Sequence, residues 1–330
     1  MDKPRVAVLM STYNGEKYIK EQIDSILLQK GVDVKLYIRD DGSVDNTCNI
    51  INEYDDNRIV LISDGRNLGA GVSFFTLLKY VVDIDKAIEF FAFSDQDDIW
   101  LDNKLLSGVN CIIGSDSPLL YGSDVMVYRD GVNYGMCRGG QVYQDKALDI
   151  VLDAVKCAAC TMVLNRRLAE IICSTKLPGA DILNIRFHDT WSYLMALAYG
   201  KIVCDSNSYI LHRIHGNNLW GMGESLIKKA FKACCFVAKS FLRFVAGRRR
   251  KGALKEYFAR IGVGFQRRTA IYFLDSVADY NGEDVEFIRM IAHYRDSFKN
   301  KLNLLKHSAE CRRENESRVF FWVKVMLNLV

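Results

Sequence analysis

Four short apolar runs, each closed by polar residues, constrain this chain more than anything else in it. Val6–Met10 is apolar and rich in branched side chains, so it reads as a buried strand, and Ser11-Thr12-Tyr13-Asn14-Gly15 ends it with turn chemistry. A helical pattern from about Lys17 to Gln29 puts Ile19, Ile23, Ile26 and Leu27 on one face. Val34, Leu36 and Ile38 alternate as a second strand that closes in Asp40-Asp41-Gly42-Ser43. A helix carrying Cys48, Ile51 and Tyr54, a third strand Ile59–Ile62, a helix over 71–82 and a fourth strand Phe90–Phe93 complete a βαβαβαβ rhythm. That rhythm demands right-handed crossovers and an α/β fold: a Rossmann-like, mostly parallel central sheet flanked by helices.

The fourth run ends in Asp95, Asp97 and Asp98, three carboxylates within four residues. Ligands bind an open α/β sheet at the carboxyl ends of its strands. Carboxylates crowded there favour a hard divalent cation, Mg²⁺ or Mn²⁺, which in turn binds phosphate. The competing reading is a strand followed by an acidic helix cap. Asp40-Asp41 supplies a second acidic strand end, which favours a shared cation-using site. Neither a GxGxxG turn nor a GK[ST] phosphate loop follows the first strand. Phosphate is therefore expected on a metal held by carboxylates, not in a glycine nest.

Beyond Trp100 the periodicity weakens. Tyr121–Tyr128 and Ala159–Leu164 read as strands, residues 146–156 as a helix, and Tyr193–Tyr199 as a helix entered through Phe187-His188-Asp189-Thr190-Trp191. Ile202–Cys204 and Ser208–Leu211 read as strands, the second running into His212-Arg213-Ile214-His215-Gly216-Asn217-Asn218.

Charge divides the chain. Residues 1–224 carry 22 Lys and Arg against 30 Asp and Glu, whereas residues 225–330 carry 22 against 10. The expected organisation is one globular domain over 1–222, with a first half at about 1–100 and a second half at about 101–222. A helical, basic region follows over 223–330. In residues 225–246, Lys228, Lys229, Lys232, Lys239 and Arg243 fall within an arc of about 100°, and Arg248-Arg249-Arg250-Lys251 follows. Such a helix either lies on an anionic membrane surface or packs on the catalytic domain with its basic face solvated. The apolar end, Val319–Val330, offers a second membrane contact or a homodimer surface. No nucleic-acid-binding motif is present. Ten unevenly spaced cysteines make no disulfide framework, and Cys157-Ala158-Ala159-Cys160 has no matching second pair. Reduced thiols, the lack of a secretory pattern and the lack of a long apolar stretch point to a cytoplasmic protein, peripheral on the cytosolic membrane face if the basic region binds there.

Taken together these motifs resemble the family 2 glycosyltransferases with the GT-A fold, in a rhamnosyltransferase-like form. Ser11–Gly15 resembles the family's opening motif, Asp40–Ser43 its DDGS motif and Arg66-Asn67-Leu68-Gly69 its N-x-G loop. Ser94–Trp100 is similar to its DxD motif, His188-Asp189 to the motif that supplies the base, and His212–Asn218 to a YR-x-H-x-x-N motif with His212 in place of tyrosine. The resemblance spans about residues 4–220. It implies inverting transfer of rhamnose or another hexose from a dTDP- or UDP-sugar to a hydroxyl of a saccharide or lipid-linked saccharide, in surface polysaccharide biosynthesis. It implies Mn²⁺ or Mg²⁺ held by Asp97, with Asp95 and His215 beside it, and Asp189 as the base. Thr12, Tyr13, Asn14, Asp40, Asp41, Arg66, Asn67 and Asp95 would hold the nucleotide. Asp98 is either a further acid of the cluster or a helix cap.

Two other readings stand beside this one. A sugar-nucleotide pyrophosphorylase would carry a glycine-rich loop after the first strand, which this chain lacks. A non-catalytic sugar-binding protein on the same fold would have lost the acids that remain here.

Overall fold

The first strand, β1 (Arg5–Thr12), lies inside the sheet between its second and fourth strands. Val6 to Met10 are completely buried, as in a parallel strand covered on both faces. Its side chains alternate between two cores. Val6, Val8 and Met10 meet Ile19, Ile23 and Ile26 of helix α1 (Ile19–Leu27) on one face. Ala7 and Leu9 join the core on the other.

This computed structural model describes residues 2–139, 145–153, 155, 157–177, 180–215, 264–313 and 316–330, with backbone alone at 180–187. Gly216-Asn217-Asn218 and the basic stretch over 225–251 lie outside the described residues, as does the expected boundary at 222.

The chain continues through β2 (Asp33–Asp40), α2 (Thr47–Asn52), β3 (Ile59–Ser63), α3 (Ala70–Ile84) and β4 (Phe90–Ser94), as the rhythm predicts. Next come β5 (Ile99–Trp100), α4 (Lys104–Ile112), β6 (Leu119–Arg129), β7 (Val132–Met136), α5 (Ala147–Leu152), β8 (Val163–Asn165), α6 (Arg166–Ser174), α7 (Ala180–Tyr199) and β9 (Lys201–Arg213). The sheet order is β3-β2-β1-β4-β8-β6-β9-β5, with β7 on the side of β6. β3, β2, β1, β4, β6 and β9 run one way, and β8, β5 and β7 run against them. The sheet is therefore mostly parallel.

Several details depart from the sequence expectations: the helix expected over 146–156 ends at Leu152, and His188-Asp189 lie inside α7, which begins at Ala180. A 3-10 turn occupies Ala159–Thr161, so the expected strand there shrinks to β8. The two expected strands at 202–204 and 208–211 are one, because bulges against β6 absorb the irregular middle. Asp98 caps no helix: β5 follows it directly, and α4 begins only at Lys104.

Past residue 263, α8 (Phe265–Ser276) packs on α5 and α7 and α9 (Val285–His293) packs on α5, while α10 (Phe298–Lys306) packs on α9 and α11 (Arg318–Met326) on α10. Gln266 and Arg313 both donate to the Leu152 carbonyl, at 2.9 and 3.0 Å, and the Asp284 carboxylate accepts from the Leu148 amide at 2.6 Å. Phe273, Ile288, Leu304 and Phe321 extend the core that lies beneath β1 and β4. Among the described residues no helix is long and apolar enough to cross a membrane.

Candidate active site

Parallel register brings the strand ends together. Thr12 pairs with Asp40, and Met10 pairs with Ser94, so the polar segments after β1, β2 and β4 emerge side by side. The Asp41 amide donates to the Thr12 carbonyl at 2.8 Å.

Gln96 locks the segment after β1. Its Oε1 accepts from Thr12 Oγ1 at 2.5 Å and from the Tyr13 amide at 3.0 Å, while its Nε2 donates to the Tyr13 carbonyl at 3.1 Å. A Cβ at position 15 would stand 2.3 Å from Gln96 Oε1, so any larger residue there would push the Gln96 amide out of this arrangement. Thr12 is thus buried and engaged, whereas the Tyr13 ring is half exposed beside it. Asn14 ties this segment to the next: its Oδ1 accepts from the Val44 amide at 2.9 Å and its amide donates to Ser43 Oγ at 2.9 Å.

The two acids after β2 have separate tasks. Both Asp41 oxygens are committed to the scaffold. Oδ1 accepts from Arg39 at 2.5 Å and from the Leu68 amide at 2.8 Å, and Oδ2 accepts from the Gly69 amide at 2.9 Å. The anionic side chain thereby sits at the N-terminus of α3, where the helix dipole favours it. Arg39 is fully buried and also reaches Asp64 at 2.9 Å, Ser73 Oγ at 3.0 Å and the Arg66 carbonyl at 3.1 Å. Asp40 turns Oδ2 to the Gly42 and Ser43 amides, at 3.2 and 3.0 Å, across a turn whose Gly42 has φ +84°. Asp40 Oδ1 is buried beside the Cys48 thiol without a hydrogen-bond partner among the described residues. Arg66 is exposed, with its guanidinium on Asp64 at 2.6 Å, and Asn67 is exposed next to it.

The acids after β4 face the end of β9. His215 Nε2 lies 2.8 Å from Asp97 Oδ2, with both side chains still touched by solvent. Asp98 is completely buried, and its Oδ1 takes His212 Nδ1 at 2.9 Å and the Arg213 amide at 3.1 Å. Arg213 donates through Nε to the Asp97 carbonyl at 2.9 Å and through its terminal nitrogen to Glu21 on α1. Its guanidinium lies 4.8 Å from the Tyr18 ring centre, and Tyr18 stacks on His215 at 4.8 Å. Burial opposes a charge on His212, but the carboxylates of Asp98, Asp95 and Asp97 outweigh it and raise His212 to about 9. Burial, then the charges of Asp98 and Asp97, push Asp95 up to about 8, and Asp189 adds to that push. Asp189, on α7, therefore faces the acidic end of β4 and not a distant surface. Its Oδ1 accepts from the Thr190 amide at 2.6 Å.

His188 is a core residue. It stacks on Phe74 with ring centres 3.7 Å apart and meets Phe93 edge-on at 4.7 Å. Both ring nitrogens are buried without hydrogen-bond partners among the described residues, and burial lowers its pKa to about 3, so the ring stays neutral.

Donor chemistry selects where a cation fits. Asp98, Cys160 and His212 place one ligand atom each within 4.8 Å of one another. Sulfur does not suit Mg²⁺ or Mn²⁺, and burial raises the Cys160 thiol well above its usual range. Asp97 and His215 present an oxygen and a nitrogen together at the partly exposed edge, which fits such an ion better. The other cysteine of the CxxC, Cys157, is likewise buried, and its thiol is raised by burial.

Sequence reasoning passed over Tyr18 and Arg39, and it named Gln96 and Arg213 only within longer motifs, without a role. Arg39 carried a signal, a charge inside an apolar strand, which demands a buried partner. Gln96 and Tyr18 carried none, because their partners come from segments far apart in sequence.

A profile described as "Glycosyl transferase family 2" matches residues 7–169. The dTDP-rhamnosyl transferase RfbG of Shigella flexneri is 31% identical over 245 residues, covering 71% of this chain and 81% of that protein. The UDP-Glc:alpha-D-GlcNAc-diphosphoundecaprenol beta-1,3-glucosyltransferase WfgD of Escherichia coli is 33% identical over 132 residues, 40% of this chain and 50% of its own length. Among solved structures, residues 1–349 of TarS from S. aureus superpose with a TM-score of 0.55 over 98% of this chain and 81% of that one, at 15% identity, a likeness of fold.

Proposed function

Since the chain belongs to glycosyltransferase family 2, we propose that it moves rhamnose from dTDP-rhamnose to a hydroxyl of a lipid-linked saccharide, with inversion, during surface polysaccharide assembly. The dTDP-rhamnosyl transferase relative, matched over 81% of its length, supports that donor. WfgD, whose acceptor is carried on diphosphoundecaprenol, supports a lipid-linked acceptor and keeps UDP-glucose as the rival donor. Such an acceptor would be met at the cytosolic membrane face.

The observation that carries the reading is the contact of Asp97 with His215 just past the carboxyl end of β4, where the charge of Asp189 also acts on Asp95. Asp97 and His215 would hold Mn²⁺ or Mg²⁺, which when bound supplies Lewis-acid stabilisation to the leaving diphosphate. Asp95 would take the ribose side. Tyr13 would stack on the base, and Asn14 and the backbone locked by Thr12 would line its pocket. Of the two acids after β2, Asp41 is spent on Arg39 and on α3, and Asp40 would reach the nucleotide by turning its buried Oδ1 away from Cys48. Arg66 and Asn67 would close over the phosphates from the exposed loop, Arg66 by leaving Asp64.

Inversion by a single displacement needs one base. Asp189 would take the proton from the acceptor hydroxyl as its oxygen bonds to the anomeric carbon and the bond to the diphosphate breaks. A panel of nucleotide sugars with Mn²⁺ or Mg²⁺, read by mass spectrometry, tests the donor. Transfer from UDP-glucose with none from dTDP-rhamnose would overturn it.

A further inference from the structure

The last helix of the chain, α11, is apolar on the side it buries and on the side it shows. Phe321 and Val325 point into the core. Val319, Phe320, Trp322, Val323, Met326 and Leu327 are between 43% and 75% exposed. At 100° per residue these six span an arc of about 160° with no charged residue within it. A helix that is apolar all round is a buried helix, so an outward face of this kind implies something that covers it. The patch continues onto α10. Phe298 and Leu302, one helical turn apart, are 63% and 44% exposed, and Lys301 Nζ reaches the Met326 carbonyl at 3.5 Å, which sets the two helices side by side.

Cations frame the patch. Arg318 flanks the apolar arc of α11 and lies over the Trp322 ring, with its guanidinium 5.4 Å from the ring centre. Lys299 and Lys306 are exposed on α10. Glu316, the acid nearest to α11 in sequence, is buried and spent on Lys324 at 2.8 Å. Aromatic rings with flanking lysine and arginine are the composition that sits at a bilayer interface.

We propose that the outward face of α10 and α11 inserts into the interfacial region of an anionic phospholipid bilayer and holds the enzyme at the surface that carries its acceptor. This rests on the lipid-linked acceptor proposed above. A second copy of the chain fits less well. It would bring Lys299, Lys306 and Arg318 of both copies to one interface, where like charges repel, whereas anionic headgroups neutralise them. The basic stretch over 225–251 has its own charge, and the two contributions separate by mutation.

The test uses the full-length chain and vesicles of phosphatidylglycerol and phosphatidylethanolamine, compared with phosphatidylcholine alone, with neither donor nor acceptor present. Phe320→Ser with Trp322→Gln should lower the partition coefficient onto anionic vesicles at least about tenfold, because it strips two large apolar side chains from the contact. Lys299→Glu with Lys306→Glu should weaken binding to anionic vesicles and leave the weak binding to phosphatidylcholine unchanged. Both variants should keep the wild-type unfolding midpoint and unchanged transfer to a detergent-solubilised acceptor. Equal partitioning of the Phe320/Trp322 variant and wild type would overturn the proposal. So would a wild-type dimer in solution that the same variant turns into monomer. Failure of transfer with intact vesicle binding would instead sink the acceptor reading and leave this surface standing.

Discussion

His215 and Asp97 meet side chain to side chain, Nε2 to Oδ2 at 2.8 Å, although 118 positions separate them in the chain. The pairing is prepared from both sides. Asp98 anchors His212 and the Arg213 amide, Arg213 reaches back to the Asp97 carbonyl, and Tyr18 supports the His215 ring. Removing the imidazole should therefore cost cation affinity before it costs stability. His215→Ala is expected to weaken Mn²⁺ binding, measured calorimetrically in the presence of dTDP, by about 10–100-fold or more. Unchanged affinity would take His215 out of the cation site.

Asp189 bears on the Asp95 carboxyl from α7. As the general base it should matter to turnover and not to the nucleotide. Asp189→Asn should lower kcat by about 10²–10⁴ while the Kd for dTDP stays within experimental error of wild type. Near-normal turnover would move the proton transfer elsewhere.

Arg39 and Asp41 form a buried pair at 2.5 Å that joins the ends of β1, β2 and the start of α3. Arg39→Met leaves the Asp41 charge without its cation, so urea unfolding should show a loss of about 3–5 kcal/mol. A loss under about 1 kcal/mol would mean that the surrounding amides alone suffice for Asp41.

The neutral His188 makes stability fall in acid. Its folded pKa of about 3 lies below the ordinary 6.5, so the unfolded chain binds the extra proton. Its contribution is fully present above pH 6.5 and is lost as pH falls toward 3, at up to about 1.4 kcal/mol per pH unit. His188→Phe keeps an aromatic ring between Phe74 and Phe93 and removes the proton site. Urea midpoints at pH 7, 5.5 and 4.5 should therefore fall less steeply in the variant, and parallel slopes would contradict the assignment.

Much of this was readable before any coordinates. β1 and β4 are continuous apolar runs because both faces of the sheet are covered there, and β2 alternates; period and run length report those conditions well. The acidic strand ends were equally plain. Legibility drops after Trp100, where antiparallel strands, bulges in β9 and a 3-10 turn before β8 leave no clean period. For α10 and α11 the sequence offers a helical region and an apolar end but no helix bounds, and α11 is apolar on both sides, so its pattern announces no face. The division of labour between Asp40 and Asp41 was also out of reach. It depends on Arg39 and on the Leu68 and Gly69 amides, which approach only after β2, β3 and α3 have packed. Asp98 offered two readings in the sequence, and burial against His212 chose neither a cap nor an open ligand but an anchor.

The most direct measurement of the central claim is product mass spectrometry. The enzyme is incubated with dTDP-rhamnose, Mn²⁺ and a preparation of lipid-linked saccharides, with Asp189→Asn and a chelated sample in parallel. The expected result is an acceptor that gains one deoxyhexose, with dTDP released in step, in the wild type with the ion, none in the chelated sample, and an initial rate at most about a hundredth of wild type in Asp189→Asn. Glycosylation that persists in the chelated sample, a near wild-type rate in Asp189→Asn, or no transfer from any nucleotide sugar offered would contradict the account.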